Sequence, residues 1–328
     1  MFKLVKGLVK AAVTLALLLV LVLAGFRAAA AWREREAVAM PAAMHMAATP
    51  LGGVAVETAG PESGTPVLLV HGTAGWSGFW RNVTRHLAGR GFRVVAVDLP
   101  PFGFSERDPQ ARYRRQDQAA RLAAVLSSEA GQPAIVVGHS FGGGPAAELA
   151  LIAPGRVRSL VLVDAALGQL DPAGHDPGMP ERAARSPWIA QPLVSASVTN
   201  PLATGALLRS MLARKAAADA WTDTIREPMS RPGTTAGYAD WLPALLTADD
   251  GAASRRSANL SRIRVPVDIV WGEADTVTPI EQGERLARLT SARSFARLPG
   301  VGHIPHIEDE AGFLRALDAA LAPESQSQ

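Results

Sequence analysis

The chain has 328 residues, 48% of them hydrophobic and 19% charged, with a formal net charge of +3. That length can bury a large core, and the apolar share excludes global disorder. The basic residues are nearly all arginine and form no stripe, which speaks against nucleic acid as a partner, and the absence of cysteine excludes disulfides, thiolate catalysis and cysteine metal sites.

At the amino end Lys3, Lys6 and Lys10 precede an uncharged run from Ala11 to Phe26, followed by Arg27, four alanines and Trp32. The run is long enough to act as a membrane anchor if counted from Leu8, because a span needs about 20 apolar residues. It also has the order of a signal peptide, with small residues that would suit cleavage. The expectation is an uncleaved signal-anchor over residues 1–32, membrane association through it, and a catalytic domain outside the cytoplasm, or secretion if the segment is cleaved. Residues 33–50, with Met40, Pro41, Met44, Met46 and Pro50, read as a linker.

Apolar runs bounded by Gly, Pro or Asp follow: Val54–Glu57, Pro66–Val70, Arg93–Val97, Ala134–Val137, Ser159–Val163, Val267–Trp271 and Ser294–Arg297. Runs of this kind are strands buried on both faces. Helical patterns lie between and after them at Trp80–Arg90, Tyr113–Glu129, Gly143–Ala153, Ile280–Leu289 and Glu308–Ala319. The alternation predicts an α/β fold with a mostly parallel sheet flanked by helices. About 100 residues without a parallel-strand pattern separate Asp164 from Val265, too many for an ordinary crossover. Their helix-prone stretches, Leu202–Ala220 and Thr235–Leu246, and Trp188, Trp221 and Trp241 predict an inserted helical lid over 168–262. The core then divides into 51–167 and 263–322, and 323–328 form a flexible tail.

The chemistry is concentrated around Ser140, the centre of Gly138-His139-Ser140-Phe141-Gly142. A β-branched run enters this segment and a helix leaves it, so the serine hydroxyl is lifted above the end of the sheet, where it can attack a carbonyl. A serine needs a base, and the base an orienting carboxylate. Asp275, on the loop after Val267–Trp271, is the candidate acid, with Asp164 and Glu273 as rivals. His303, in Gly300-Val301-Gly302-His303-Ile304-Pro305-His306, is the candidate base, with His306 as its rival. The oxyanion hole would take its N–H groups from Phe141 and from Thr73, or from Ala74 beside it. His71 reads as a brace for that loop. Gly72, Gly75 and Gly78 fit no dinucleotide fingerprint, and the histidines lie in no recognised metal spacing, so neither cofactor nor metal is expected.

Five segments together resemble the α/β-hydrolase superfamily, in particular its lid-bearing branch, over about residues 50–320. They are His71-Gly72, Asp98-Leu99-Pro100-Pro101-Phe102-Gly103-Phe104-Ser105, Gly138-His139-Ser140-Phe141-Gly142-Gly143, Trp271-Gly272-Glu273-Ala274-Asp275 and Gly302-His303-Ile304-Pro305. Pro101 stands where the family's second segment has its first glycine. The resemblance selects His303 over His306. It also argues against epoxide hydrolase and dehalogenase activity, whose nucleophile in this family is aspartate. Residues and resemblance together imply a serine hydrolase that cleaves ester-like acyl bonds of a small apolar or lipophilic substrate. A carbon–carbon bond hydrolase acting on dienoic diketones and a cofactor-free perhydrolase are the enzymatic alternatives, and a binding or scaffold protein is the non-enzymatic one.

Overall fold

A computed structural model describes residues 2–172, 178–247 and 251–322. Two short pieces of the expected lid, 173–177 and 248–250, and the expected tail 323–328 lie outside the described residues.

The strands are β1 Met44–Ala47, β2 Val54–Ala59, β3 Pro66–Val70, β4 Arg93–Val97, β5 Ala134–His139, β6 Val157–Val163, β7 Val267–Gly272 and β8 Ser294–Leu298. They form one sheet in the order β1-β2-β4-β3-β5-β6-β7-β8. β1 and β2 pair antiparallel, as do β2 and β4, and every later pair is parallel. The central strands β3, β5 and β7 are buried along their whole length, as their Val/Leu/Ile runs require when both faces are covered.

The helices are α1 Phe2–Arg33, α2 Arg81–Gly89, α3 Arg115–Glu129, α4 Gly143–Ile152, α5 Met179–Ala184, α6 Pro187–Ala196, α7 Pro201–Met211, α8 Thr222–Arg226, α9 Thr234–Leu246, α10 Ser257–Leu260, α11 Ile280–Thr290, α12 Pro305–Glu308 and α13 Glu310–Leu321. Their apolar faces complete two cores, one on each side of the sheet. Leu122, Val125 and Leu126 of α3, with Ala146, Ala147 and Leu149 of α4, cover one face. Val83 and Leu87 of α2, with Phe313 and Leu317 of α13, cover the other.

The sequence missed one strand. Residues 33–50, expected as a linker, contain β1, whose Met44 and Ala47 are buried while His45 is paired with Glu129 of α3 at 3.1 Å. The expected helix Leu202–Ala220 also breaks in two. α7 stops at Met211, and Lys215–Ala220 winds as a 3-10 segment. Among the described residues, α5 to α10 all fall between β6 and β7 and supply no strand to the sheet.

α1 stands apart from this plan. It is a helix of 32 residues whose apolar stretch Lys3–Arg33 is long enough to cross a membrane, and none of its most apolar window is buried. Its last turns touch the body through Ala30, fully buried, and through Arg27 and Arg33.

Candidate active site

β5 delivers Ser140 at its carboxyl end, where the chain turns at once into a 3-10 segment, Ser140–Gly142, and then α4. Ser140 has φ +49°, a left-handed conformation that costs a non-glycine residue about 1–3 kcal/mol. The turn is possible because the backbone passes so close to β3. A Cβ on Gly142 would lie 2.4 Å from the His71 carbonyl oxygen and 2.8 Å from that of Val70. Gly142→Ala is therefore expected to displace the turn or the β3 edge, at a cost of about 1–3 kcal/mol. Urea unfolding would read it as a lower midpoint at unchanged slope. An unchanged midpoint would mean that the two backbones are not in contact.

The loop after β7 holds Asp275 in a small cage. Its Oδ1 accepts the backbone N–H groups of Val277 at 2.7 Å and Thr278 at 3.0 Å, and its Oδ2 accepts the Thr278 hydroxyl at 2.6 Å. Burial pushes the Asp275 carboxyl up, but His303 and these donors outweigh it and hold the group below the usual carboxylate range. Asp275 is therefore ionised at neutral pH.

The loop after β8 brings His303 between the two. Its Nδ1 lies 2.7 Å from Asp275 Oδ2 and its Nε2 lies 2.8 Å from Ser140 Oγ. An ionised carboxylate only accepts hydrogen bonds, so Nδ1 carries the hydrogen and Nε2 accepts from the serine hydroxyl. The main chain of His303 is held as well. Its backbone N–H donates to the Met211 carbonyl at the end of α7 (2.9 Å), and His139 Nε2–H donates to its backbone carbonyl at 2.8 Å. Glu308 accepts the N–H groups of Gly302 (3.0 Å) and Arg214 (2.6 Å), tying the histidine loop to the segment after α7.

Asp164, the rival acid, ends beside the same imidazole. One ligand atom each from Asp164, Asp275 and His303 can be chosen within 4.8 Å of one another. The two carboxyls have opposite electrostatics. Asp164 is buried beside the Asp275 charge, and both effects push it well above the usual carboxylate range, against the pull of one hydrogen bond from Gly272 N–H at 2.9 Å. Asp164 is therefore the weaker acid of the two. A metal held by this trio would have to break hydrogen bonds that already occupy both ring nitrogens of His303, so the donor set reads as a proton relay. Glu273 is exposed to solvent. His306 is buried against Trp80, ring centroids 4.1 Å apart, and burial holds it well below the ordinary imidazole range, so it is a neutral packing group away from the serine.

His71 fixes the neighbouring loop. Its Nδ1–H donates to the Gly72 carbonyl at 2.7 Å and its Nε2 accepts the Leu99 N–H at 2.8 Å. Burial lowers its pKa to about 4, which keeps the imidazole in the neutral form this bracing needs. The loop carries Thr73 to the wall of the pocket that Ser140, Phe141 and His303 also line. Among the described residues, none of the backbone hydrogen bonds outside helices and strands uses the Thr73 N–H. The Phe141 N–H sits in the first turn of a 3-10 segment, where helical partners are lacking. The pocket measures about 530 Å3. Phe141, Met211, Leu245, Leu246, Val277 and Ile304 give it an apolar wall, and Arg115 and Arg255 give it two guanidinium groups.

The sequence missed Thr278, which the cage around Asp275 depends on. Its signal was the Asp-Xaa-Xaa-Thr spacing, the pattern of a carboxylate that accepts from the amide and hydroxyl three residues on.

A mostly parallel sheet with a strained serine turn at one carboxyl end and a helical segment inserted between two of its strands defines a class of hydrolase folds. The chain belongs to the alpha/beta hydrolase fold family, whose family model matches residues 65–310. Among curated relatives, a 2-hydroxy-6-oxo-2,4-heptadienoate hydrolase of Pseudomonas putida is 28% identical over 83% of this chain and 95% of its own length. A pimeloyl-[acyl-carrier protein] methyl ester esterase of Chromobacterium violaceum is 31% identical over 80% of this chain and 95% of its own. Among solved structures, a membrane phospholipase A described as a bacterial virulence factor superposes with a TM-score of 0.64. It covers 97% of this chain and 99% of its own at 23% identity, a likeness of fold.

Proposed function

We propose that the chain is a serine hydrolase that cleaves carboxylic ester-like acyl bonds of lipophilic substrates through an acyl-enzyme intermediate. The observation that carries this reading is the continuous hydrogen-bonded line from Ser140 Oγ through both nitrogens of His303 to Asp275. In the first half-reaction His303 Nε2 takes the Ser140 proton as Oγ attacks the substrate carbonyl. Asp275 holds the ring in the tautomer that can accept that proton and stabilises the imidazolium. The N–H groups of Phe141 and Thr73 receive the oxyanion. His303 then protonates the leaving alcohol, and water enters by the reverse of the same steps to release the acid.

We take 168–262 as a lid over this site. Residues from both ends of that stretch, with Met211 between them, line the pocket that contains Ser140. We take α1 as an uncleaved anchor, with the three lysines on the cytoplasmic side and the hydrolase body outside.

A second reading is kept because Arg115 and Arg255 line the reactive pocket and could meet a substrate carboxylate. That is what a carbon–carbon bond hydrolase for dienoic diketones would need, and the P. putida relative is named for such a reaction. A panel of p-nitrophenyl esters from acetate to decanoate, run beside one dienoic diketone, separates the readings. The first predicts kcat/KM rising with acyl length and little turnover of the diketone. Faster turnover of the diketone than of every ester would replace the first reading by the second.

A further inference from the structure

Among the described residues, helix α6 leaves a group of apolar side chains open to solvent. Trp188 is 91% exposed, and Ile189 and Leu193, one turn apart on the same side of the helix, are also exposed. The adjoining side of α6 is used: Ala190 and Val194 are buried against the body. A bare cluster containing a tryptophan is a costly surface for water and a common one at membrane interfaces.

What faces this cluster follows from α1. The two helices are neighbours. Arg27 Nε donates to Gln191 Oε1 at 3.0 Å, and Arg33 donates to the Thr199 carbonyl, just past α6, at 3.1 Å. Both contacts advance in the same direction along the chain, so α1 and α6 run side by side and parallel. Glu34 fixes the end of α1 by accepting the Thr235 N–H of α9 at 3.0 Å. Trp188 and Ile189 precede Gln191 by about a turn and therefore lie beside the part of α1 that precedes Arg27. From Val22 back to Lys3 every residue of α1 is exposed. A hydrocarbon core needs about 20 residues of helix. Counted from Leu8, the twentieth residue is Arg27, so the membrane boundary falls where the amino end of α6 begins.

We infer that the amino-terminal end of α6 is a membrane-docking surface, with Trp188, Ile189 and Leu193 seated in the lipid interface beside α1. This rests on the reading of α1 as an anchor. The docked end also borders an open cavity of about 590 Å3, where Pro187 and Ala190 meet Arg112, Arg114, Asp117 and Asp240. Ala244 and Thr247 line both this cavity and the Ser140 pocket. An ester that resides in the bilayer is the class of substrate that docking would bring to this chain.

The native chain has no cysteine, so single cysteines placed in the full-length protein can carry a bimane fluorophore. The probe sites are Trp188→Cys, Ile189→Cys, Leu18→Cys on α1 and Leu202→Cys. Leu202 is 86% exposed but follows the far end of α6, away from the boundary. The labelled proteins are reconstituted in phosphatidylcholine–phosphatidylglycerol vesicles and quenched with doxyl lipids or aqueous iodide. The expected result is lipid quenching at 18, 188 and 189, and iodide quenching alone at 202. Lipid quenching at 18 with iodide quenching alone at 188 would overturn the docking surface and leave the anchor standing. No lipid quenching at 18 would overturn the anchor and the docking surface together. Protection of 188 from both quenchers would mean that a protein surface covers it, which also overturns the inference.

An activity arm reads the consequence. Trp188→Asp should lower hydrolysis of a vesicle-borne long-chain ester by about tenfold, while a soluble short-chain ester is cleaved at the wild-type rate. Equal loss on both, or loss on neither, would contradict a docking role for Trp188. If no ester is cleaved at all, the hydrolase reading fails while the quenching result still decides the surface.

Discussion

Ser140→Ala is expected to lower kcat for an activated ester by about 10^4-fold or more, to the level that the pocket and oxyanion donors sustain by themselves. The size of the effect follows from what the substitution removes. In the proposed mechanism the hydroxyl is the attacking atom, and His303 Nε2, 2.8 Å away, receives its hydrogen. Nothing else in the pocket replaces it. Among the lining residues, Thr73 and Thr247 carry the other hydroxyls, and neither forms a hydrogen bond with a histidine. Alanine keeps the Cβ, so the packing of Ser140 against Gly72 is retained and stability should change little. Stopped-flow hydrolysis of a p-nitrophenyl ester would check both points: the wild type should show a burst of p-nitrophenol and the variant none. A variant within tenfold of wild type would show that Ser140 is not the nucleophile.

Asp275→Asn is expected to cost about 10^4-fold in kcat with the fold intact. The reason lies in the cage. The Asp275 oxygen that accepts the N–H groups of Val277 and Thr278 must remain an oxygen, so the new amide NH2 has to occupy the position facing His303 Nδ1. A donor there forces Nδ1 to accept and puts the ring hydrogen on Nε2, where it blocks the transfer from Ser140. Asp164→Asn should behave differently, although Asp164 lies beside the same imidazole. Asp164 is the weaker acid of the two, and the one hydrogen bond its carboxyl accepts, from Gly272 N–H, is one that an amide oxygen also accepts. Its kcat should stay within about an order of magnitude of wild type. Steady-state kinetics of the two variants on one ester decides the matter. A collapse of Asp164→Asn with a mild effect of Asp275→Asn would make Asp164 the orienting acid.

The sheet was legible because parallel strands covered on both faces need runs rich in Val, Leu and Ile, and Pro66–Val70 is one, as is Val267–Gly272 apart from Asp268. β1 was not legible. Met44-His45-Met46-Ala47 has no β-branched residue, and its strand state comes from the pairing of Met44 with Glu57 and Ala47 with Val54. The split of α7 at Met211 was hidden for a similar reason. Leu212 to Arg214 read as helix formers, but the Met211 carbonyl is taken by His303 N–H and the Arg214 N–H by Glu308, two contacts from a loop 90 residues further on. Long-range hydrogen bonds of this kind leave no local trace. The serine, acid and histidine candidates were readable because each sits at a strand end with a turn residue beside it. The closeness of Asp164 to Asp275 was not. It depends on β6 and β7 being neighbours, which pairs Val163 with Val270 and puts the two following loops side by side.

Treatment with a fluorophosphonate, followed by peptide mass spectrometry, tests the proposed triad most directly. One adduct per chain on Ser140, formed rapidly in the wild type and at least about 10^3-fold more slowly in His303→Ala, is the predicted result. Labelling at Ser140 that proceeds equally fast without the imidazole, or no adduct on this serine at all, would contradict the account.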